Sequence, residues 1–166
     1  MRDPLRTGGH AALLLAALGG LVWATGEPFL FPSLGPSAYL LAVNPDAPTS
    51  QPRRVVGGHA VGVAAGLLAY TLLAAPLVGT SPPPAASLGA VRLAASASLS
   101  VGLTTAGMLA ADLQHAPACA TTLIVALGLL AAPLEGVVIL LAVGVLVAVD
   151  RLGRRVQSSL ARGVSA

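Results

Sequence analysis

Polar residues punctuate the chain into six apolar segments. No formal charge falls between Thr7 and Gly26; Glu27 interrupts, and Pro28 to Pro45 is uncharged again. The stretch NPDAPTSQPRR carries Asp46, Arg53 and Arg54, and from Val55 to Val91 there is only His59. Arg92 precedes an uncharged run to Ala111, and Asp112, Gln114 and His115 make a short polar break. Glu135 then separates two more uncharged runs, and the chain ends in the basic tail DRLGRRVQSSLARGVSA. The segments are therefore about 10–26, 29–43, 55–78, 89–111, 116–132 and 136–152. A helix needs about 20 residues, within a range of about 17–25, to cross a hydrocarbon core of ~30 Å. Segments three and four meet that length and segment one is adequate. Segments two, five and six are short, which predicts half-helices, buried helices or spans in a thinned region.

Composition turns apolar segments into membrane segments. Of 166 residues, 55% are apolar and 9% charged, against roughly 25% charged in a soluble domain. Nine arginines and six carboxylates cannot cover a soluble surface of this size. One cysteine, Cys119, excludes a disulfide scaffold, and high hydrophobicity excludes a disordered chain. The net charge of +3 is scattered over loops rather than gathered in a stripe, so no nucleic acid is expected as a partner. The partner implied is the lipid bilayer. The start, MRDPLRTGGHAALLLAALGG, is laid out like a signal peptide, but the further apolar segments favour a first span.

The arginines predict an orientation. If all six segments cross with both termini cytoplasmic, Arg2, Arg6, Arg53, Arg54, Arg151, Arg154, Arg155 and Arg162 lie inside and Arg92 alone outside. Cytoplasmic loops carry the Lys/Arg excess. If segments two and five turn back instead, the ratio falls from eight against one to seven against two. Six crossings in a cell membrane fit better.

The halves share a layout: a long segment, a short one opened by proline, then another. Pro36 in FPSLGPSAYLLAV and Pro117 in LQHAPACATTLIVAL stand 81 residues apart. At that offset segment one falls on four and segment three on six. Three crossings per half would invert the second half, repeat one at about 10–78 and repeat two at about 89–152, with the tail 153–166 following. Short, proline-interrupted segments in corresponding places of inverted repeats point to a transporter site. The plainer reading is that any six-segment apolar chain divides into similar halves.

Little catalytic chemistry is available: no HExxH, no GxSxG and no carboxylate pair suited to acid–base work. No enzyme activity, cofactor or metal is expected. Asp112, His115 and Cys119 have helical spacing, but Pro117 interrupts them. Anion binding has more support. Proline is favoured at the first helical position, so Pro36 and Pro117 should lie in first turns, where N–H groups and the positive dipole end attract anions. Ser33, Gly35, Ser37, His115 and Pro117 thereby become candidates for substrate binding. His59, about one turn into segment three, is either a functional intramembrane group or interfacial. Arg53 is either a topology anchor or a collector of anions at a pore mouth. The Ser/Thr/Ala/Gly-rich segment four fits close packing or a polar path at the bundle centre.

FPSLGPSAYLL, NPDAPTSQPRRVVGGHAVG and HAPACATTL together resemble the HPP family of small integral membrane proteins. Ser33, Leu34 and Gly35 match an early SLG element; Pro48, Gln51, Pro52, Arg53, Gly58 and His59 match a loop ending in QPR and a GGH-type helix start. His115 and Pro117 match the His-Pro-Pro motif of the family name, with Ala116 in place of its first proline. The resemblance covers roughly residues 30–150 and implies four or five transmembrane helices, fewer than the six segments counted above. It also implies nitrite transport, the activity linked to members in chloroplasts and cyanobacteria. The expectation is an all-α, polytopic helix bundle that transports a small inorganic anion, with His59 and Arg53 supplying positive charge or a proton. A bundle this small should form a homo-oligomer. The alternatives are a structural or regulatory membrane subunit without a path, and a membrane enzyme built on Asp112, His115 and Cys119.

Overall fold

The computed structural model describes the backbone of residues 3–164, which form six α-helices and, among the described residues, no strand. Helix α1 (Pro4–Thr25) starts where the Asp3 carboxylate accepts the Leu5 N–H, with proline in the first position, and stops at Gly26 in the left-handed conformation. Helix α2 is short (Leu34–Val43) and is followed by a single 3-10 turn, Pro48–Ser50. Helix α3 (Pro52–Ala69) opens on its proline and runs on as a π-helical turn through Ala74. Helix α4 (Leu88–Ala110) is capped by Ser87, α5 (Ala118–Ala126) is short, and α6 spans Pro133–Val164.

Four of these helices, α1, α3 with its π turn, α4 and the Pro133–Val156 part of α6, are long and apolar enough to cross a membrane. Helices α2 and α5 have 10 and 9 residues, about 15 Å at 1.5 Å per residue, half the hydrocarbon thickness. The count of four long helices agrees with what the family resemblance implies, and the two short helices supply the remaining apolar segments. Segment six was expected to be short; α6 is instead the longest helix, because its helical pattern continues through the basic tail.

Polar contacts show which helix ends lie together. At one end, His10 of α1 meets Asp150 of α6 at 2.9 Å, Arg53 of α3 donates to Ala111 O beyond α4, and Arg154 donates to Pro45 O beyond α2. At the other end, Arg92 of α4 donates to Leu73 O and Ala75 O, and Gly79 N donates to Leu127 O beyond α5. So α1 runs antiparallel to α6, and α3 to α4. Four arginines, Arg53, Arg54, Arg151 and Arg154, gather at the first end, and Arg92 stands at the second.

The core joins Leu14 and Leu18 of α1, Leu34 and Leu41 of α2, and Ile139 and Leu146 of α6, all buried. Docking of Leu14 and Leu18 makes α1 an integral part of the bundle. The outer surface is apolar: Leu5, Trp23, Leu72 and Leu134 are exposed, as lipid contact requires. The tightest seam is α3 on α5. A Cβ at Gly62 would sit 2.7 Å from Ala118 O, and one at Gly66 would sit 2.7 Å from Val125 Cβ and 2.9 Å from Thr122 O. Only glycine lets these backbones approach so closely.

Candidate functional site

Helix α2 begins beside α5, and the two run in opposite directions. Ser33, just before α2, has its hydroxyl 2.7 Å from that of Thr121 in the first turns of α5. From there α2 descends to Pro45 at the arginine-rich end, whereas α5 ascends to Ala126 at the other. Pro36 is the third residue of α2 and Pro117 immediately precedes α5. Both short helices thus start inside the bundle, and both bear their proline at the start.

Two histidines converge on this place. His59 lies seven residues into α3, about 10 Å from its start at 1.5 Å per residue. Its Nδ1 is 2.7 Å from Thr121 Oγ1 and its Nε2 is 3.0 Å from Ser37 Oγ. His115, in the loop before α5, places Nε2 3.0 Å from the same Ser37 Oγ and Nδ1 2.8 Å from Thr49 O in the 3-10 turn. The ring centroids are 5.2 Å apart. Ser33, Ser37, His59, His115 and Thr121 are all fully buried. Gly58 makes room, since a Cβ there would come within 3.0 Å of His115 Cβ.

With both rings neutral, one arrangement of protons satisfies every member. A carbonyl only accepts, so His115 Nδ1 donates to Thr49 O and its Nε2 must accept from Ser37. Ser37 has spent its hydrogen, so it accepts from His59 Nε2. His59 Nδ1 then accepts from Thr121, which accepts from Ser33. The chain Ser33→Thr121→His59→Ser37→His115→Thr49 O is directed end to end. Ser33 O, 3.1 Å from Ser37 Oγ, keeps the Ser37 N–H as its donor. The hydrogen-bond partners of the two rings are hydroxyls and one carbonyl. His115 lies outside the long helices; burial pushes its pKa below the usual 6.5, and the hydrogen bond to Thr49 O pulls it partly back up.

Of the residues singled out from sequence, Ser33, Ser37, His59 and His115 come together. Gly35 is half-buried with open space around its Cα, and Pro117 is buried as the turn before α5, its carbonyl receiving Ala120 N–H and Thr121 N–H. Arg53 is not at this site. It lies at the bundle end, where it bonds Ala111 O and Asp112 beside the 2.7 Å pair of Arg54 with Asp112. It occupies the first turn of α3, two turns before His59, and its side chain reaches outward to the α4–α5 loop. The N–H groups at the start of α5 are also engaged, Ala118 by His115 O and Cys119 by Ala116 O. Hydroxyls and imidazoles, rather than free backbone N–H groups, are what this site offers.

Asp112, His115 and Cys119 do not converge: Asp112 turns out to the arginines while His115 turns in to Ser37. No group of three or more His, Cys, Asp or Glu side chains gathers among the described residues.

Two partners escaped the sequence reading of the site. Thr121 was visible as one of two adjacent threonines, but nothing in the pattern says which of the pair faces α2. Thr49 contributes a backbone carbonyl, which has no residue-type signal. A second polar cluster, His10, Asp150 and Arg154, was also missed; Asp150 is fully buried and accepts from both partners. Segment four is not the centre of the bundle: α4 packs on α3, its π turn and α5, while α3 also meets α6. The face α4 turns inward carries Ser96, Ser100 and Thr104, buried at four-residue spacing, and Ser96 donates to Ala126 O of α5. The hydroxyls of Thr104 and of Thr122 are buried without a hydrogen-bond partner.

No curated protein and no solved structure matches the chain. The model of the family described as HPP, transmembrane region, matches residues 2–158, a span that includes α1 to α5, most of α6 and every member of the buried network. The chain belongs to the HPP family of integral membrane proteins.

Proposed function

We propose that this HPP protein moves a small inorganic anion across the membrane, with nitrite the first candidate through the family. The observation that carries this reading is the convergence of Ser33, Ser37, His59, His115 and Thr121 at the starts of two oppositely directed short helices. Broken helices that meet inside a bundle are a recurrent way to build a substrate site. Donors without a fixed charge can hold an anion and release it, since conduction requires binding that is favourable but not tight. Beyond the network, the hydroxyls of Thr122 and Thr104 are buried without a partner and so remain free to bond a passing anion. Gly35 and Pro117 shape the two helix starts, and Arg53, at the arginine-rich mouth, attracts anions from solution.

In this reading α1–α3 and α4–α6 form two inverted repeats. The arginine-rich end is cytoplasmic, as the positive-inside rule asks, which puts both termini inside a cell membrane, and copies of the chain associate in the bilayer. Catalysis and a cofactor have no part in it.

The test is nitrite flux into proteoliposomes. Wild-type protein should raise the flux above that of protein-free vesicles, and His59→Ala and His115→Ala should abolish the increase. One observation favours a second reading, a structural membrane subunit: every proton of the buried chain is matched internally. Wild-type vesicles no leakier to nitrite than empty ones would decide for that reading.

A further inference from the structure

We propose that the buried chain relays protons, so that anion movement through this protein is proton-linked; the inference rests on the transport reading and deepens it. The argument is the continuity of the chain. Five side chains from α2, α3, α5 and the α4–α5 loop are joined by contacts of 2.7, 2.7, 3.0 and 3.0 Å, and the last reaches Thr49 O at 2.8 Å. The four members from Thr121 to His115 each accept one hydrogen bond and donate another, and Ser33 donates at the head of the chain, which is the continuity a relay needs. Thr49 is half-buried in the Pro-rich loop at the arginine-rich end, and Ser33 follows the half-buried or exposed stretch Glu27–Leu30 and Pro32 on the other side.

The transfer balances. A proton from water or from the conjugate acid of the anion binds Ser33 Oγ, whose own proton passes to Thr121 Oγ1. The Thr121 proton passes to His59 Nδ1, the His59 Nε2 proton to Ser37 Oγ, and the Ser37 proton to His115 Nε2. The His115 Nδ1 proton is held by Thr49 O, a carbonyl that cannot pass it on, so it reaches water when that bond opens toward the half-buried Pro-rich loop. One proton has entered and one has left. Afterwards the bare His115 Nδ1 faces Thr49 O, two acceptors together, so a second proton passes only after the hydroxyls have rotated and both imidazoles have returned to their first tautomers. The charged groups of the surrounding elements are engaged elsewhere: Asp112 with Arg53 and Arg54, Asp150 with His10 and Arg154, and Arg92 with Leu73 O and Ala75 O.

The test uses proteoliposomes loaded with a pH-sensitive dye and given an inward sodium nitrite gradient. Nitrite uptake and internal pH are read together, and protein-free vesicles set the leak of undissociated nitrous acid. Wild-type protein should show a fixed proton-to-nitrite ratio. Thr121→Val keeps the volume and breaks the chain, so that ratio should fall by about 100-fold, the scale of a lost positioned proton carrier. Thr121→Ser, which restores the hydroxyl, should bring the ratio back, and that recovery separates relay from folding. Nitrite uptake without proton movement in the wild type, or an unchanged ratio in Thr121→Val, overturns the relay and leaves the transport reading standing. No uptake above empty vesicles overturns both.

Discussion

Ser33 and Thr121 share a hydroxyl–hydroxyl hydrogen bond of 2.7 Å across 88 residues of sequence. It is the point where the two short helices are pinned start to start. Thr121→Val should leave Ser33 Oγ and His59 Nδ1 without that partner at constant volume. The expected cost is about 1–3 kcal/mol for a buried group left unsatisfied. A lowered thermal midpoint in detergent checks this, and a midpoint equal to wild type would mean that the hydroxyl holds nothing.

The α3–α5 seam depends on having no side chain. Gly62→Ala and Gly66→Ala drive a methyl into Ala118 O, Thr122 O and Val125 and should destabilise by about 1–3 kcal/mol each, the range for overpacking. Gly102→Ala and Gly144→Ala are the controls, since a Cβ at either meets nothing within 4 Å. Both lie inside helices, where alanine should stabilise by about 0.5–1 kcal/mol. The four thermal melts should split two and two.

Asp150 is a buried carboxylate that His10 and Arg154 approach together. Asp150→Ala removes the acceptor and strands the guanidinium that also holds Pro45 O. Breaking such a pair costs about 3 kcal/mol or more, so poor yield in detergent and aggregation on gel filtration are expected. By contrast Asp112 is itself exposed, paired with a half-buried Arg54, and should tolerate Asp112→Asn with a change below about 1 kcal/mol.

Acid should loosen the fold. His115 has its folded pKa lowered by burial from the usual 6.5. Below pH 6.5 the unfolded chain takes up a proton that the folded site resists, so stability falls as pH drops through that value toward the folded one and is fully present above it. Thermal midpoints measured from pH 8 down to pH 5 should fall below about 6.5. His115→Gln should flatten the decline; the same slope in wild type and variant would remove His115 as its cause.

Much of the fold was legible because charge is scarce. Fifteen formal charges in 166 residues leave six apolar runs that each mark one helix, although α1, α3, α4 and α6 reach beyond their runs into charged flanks, and the prolines at 36 and 117 marked the starts of the two short ones. His59 and His115 were legible as polar groups in apolar surroundings. What pattern could not give was direction. Thr121 and Thr122 are adjacent, yet one joins the network and the other has no partner, because successive helical residues point about 100° apart. Arg53 was legible as a topology anchor or an anion collector at a mouth, and it stands at the bundle end with Ala111 O and Asp112, about two helical turns from His59. Thr49 acts through its backbone, and the length of α6 follows from helix continuing where hydrophobicity stops.

The linker between α3 and α4 has a consequence of its own. Residues 75–87 are the sole covalent join between the halves, and SPPPAA within it is mostly exposed. Yet Ser33–Thr121, His59–Thr121, Ser37–His115, Thr49–His115, His10–Asp150, Arg54–Asp112 and Arg92–Leu73 all cross from one half to the other. Neither half owns the site. A chain nicked at Pro84 should therefore migrate as one particle, and the halves made separately should find each other in the bilayer. Evolution could have kept them as two genes without losing an atom of the network.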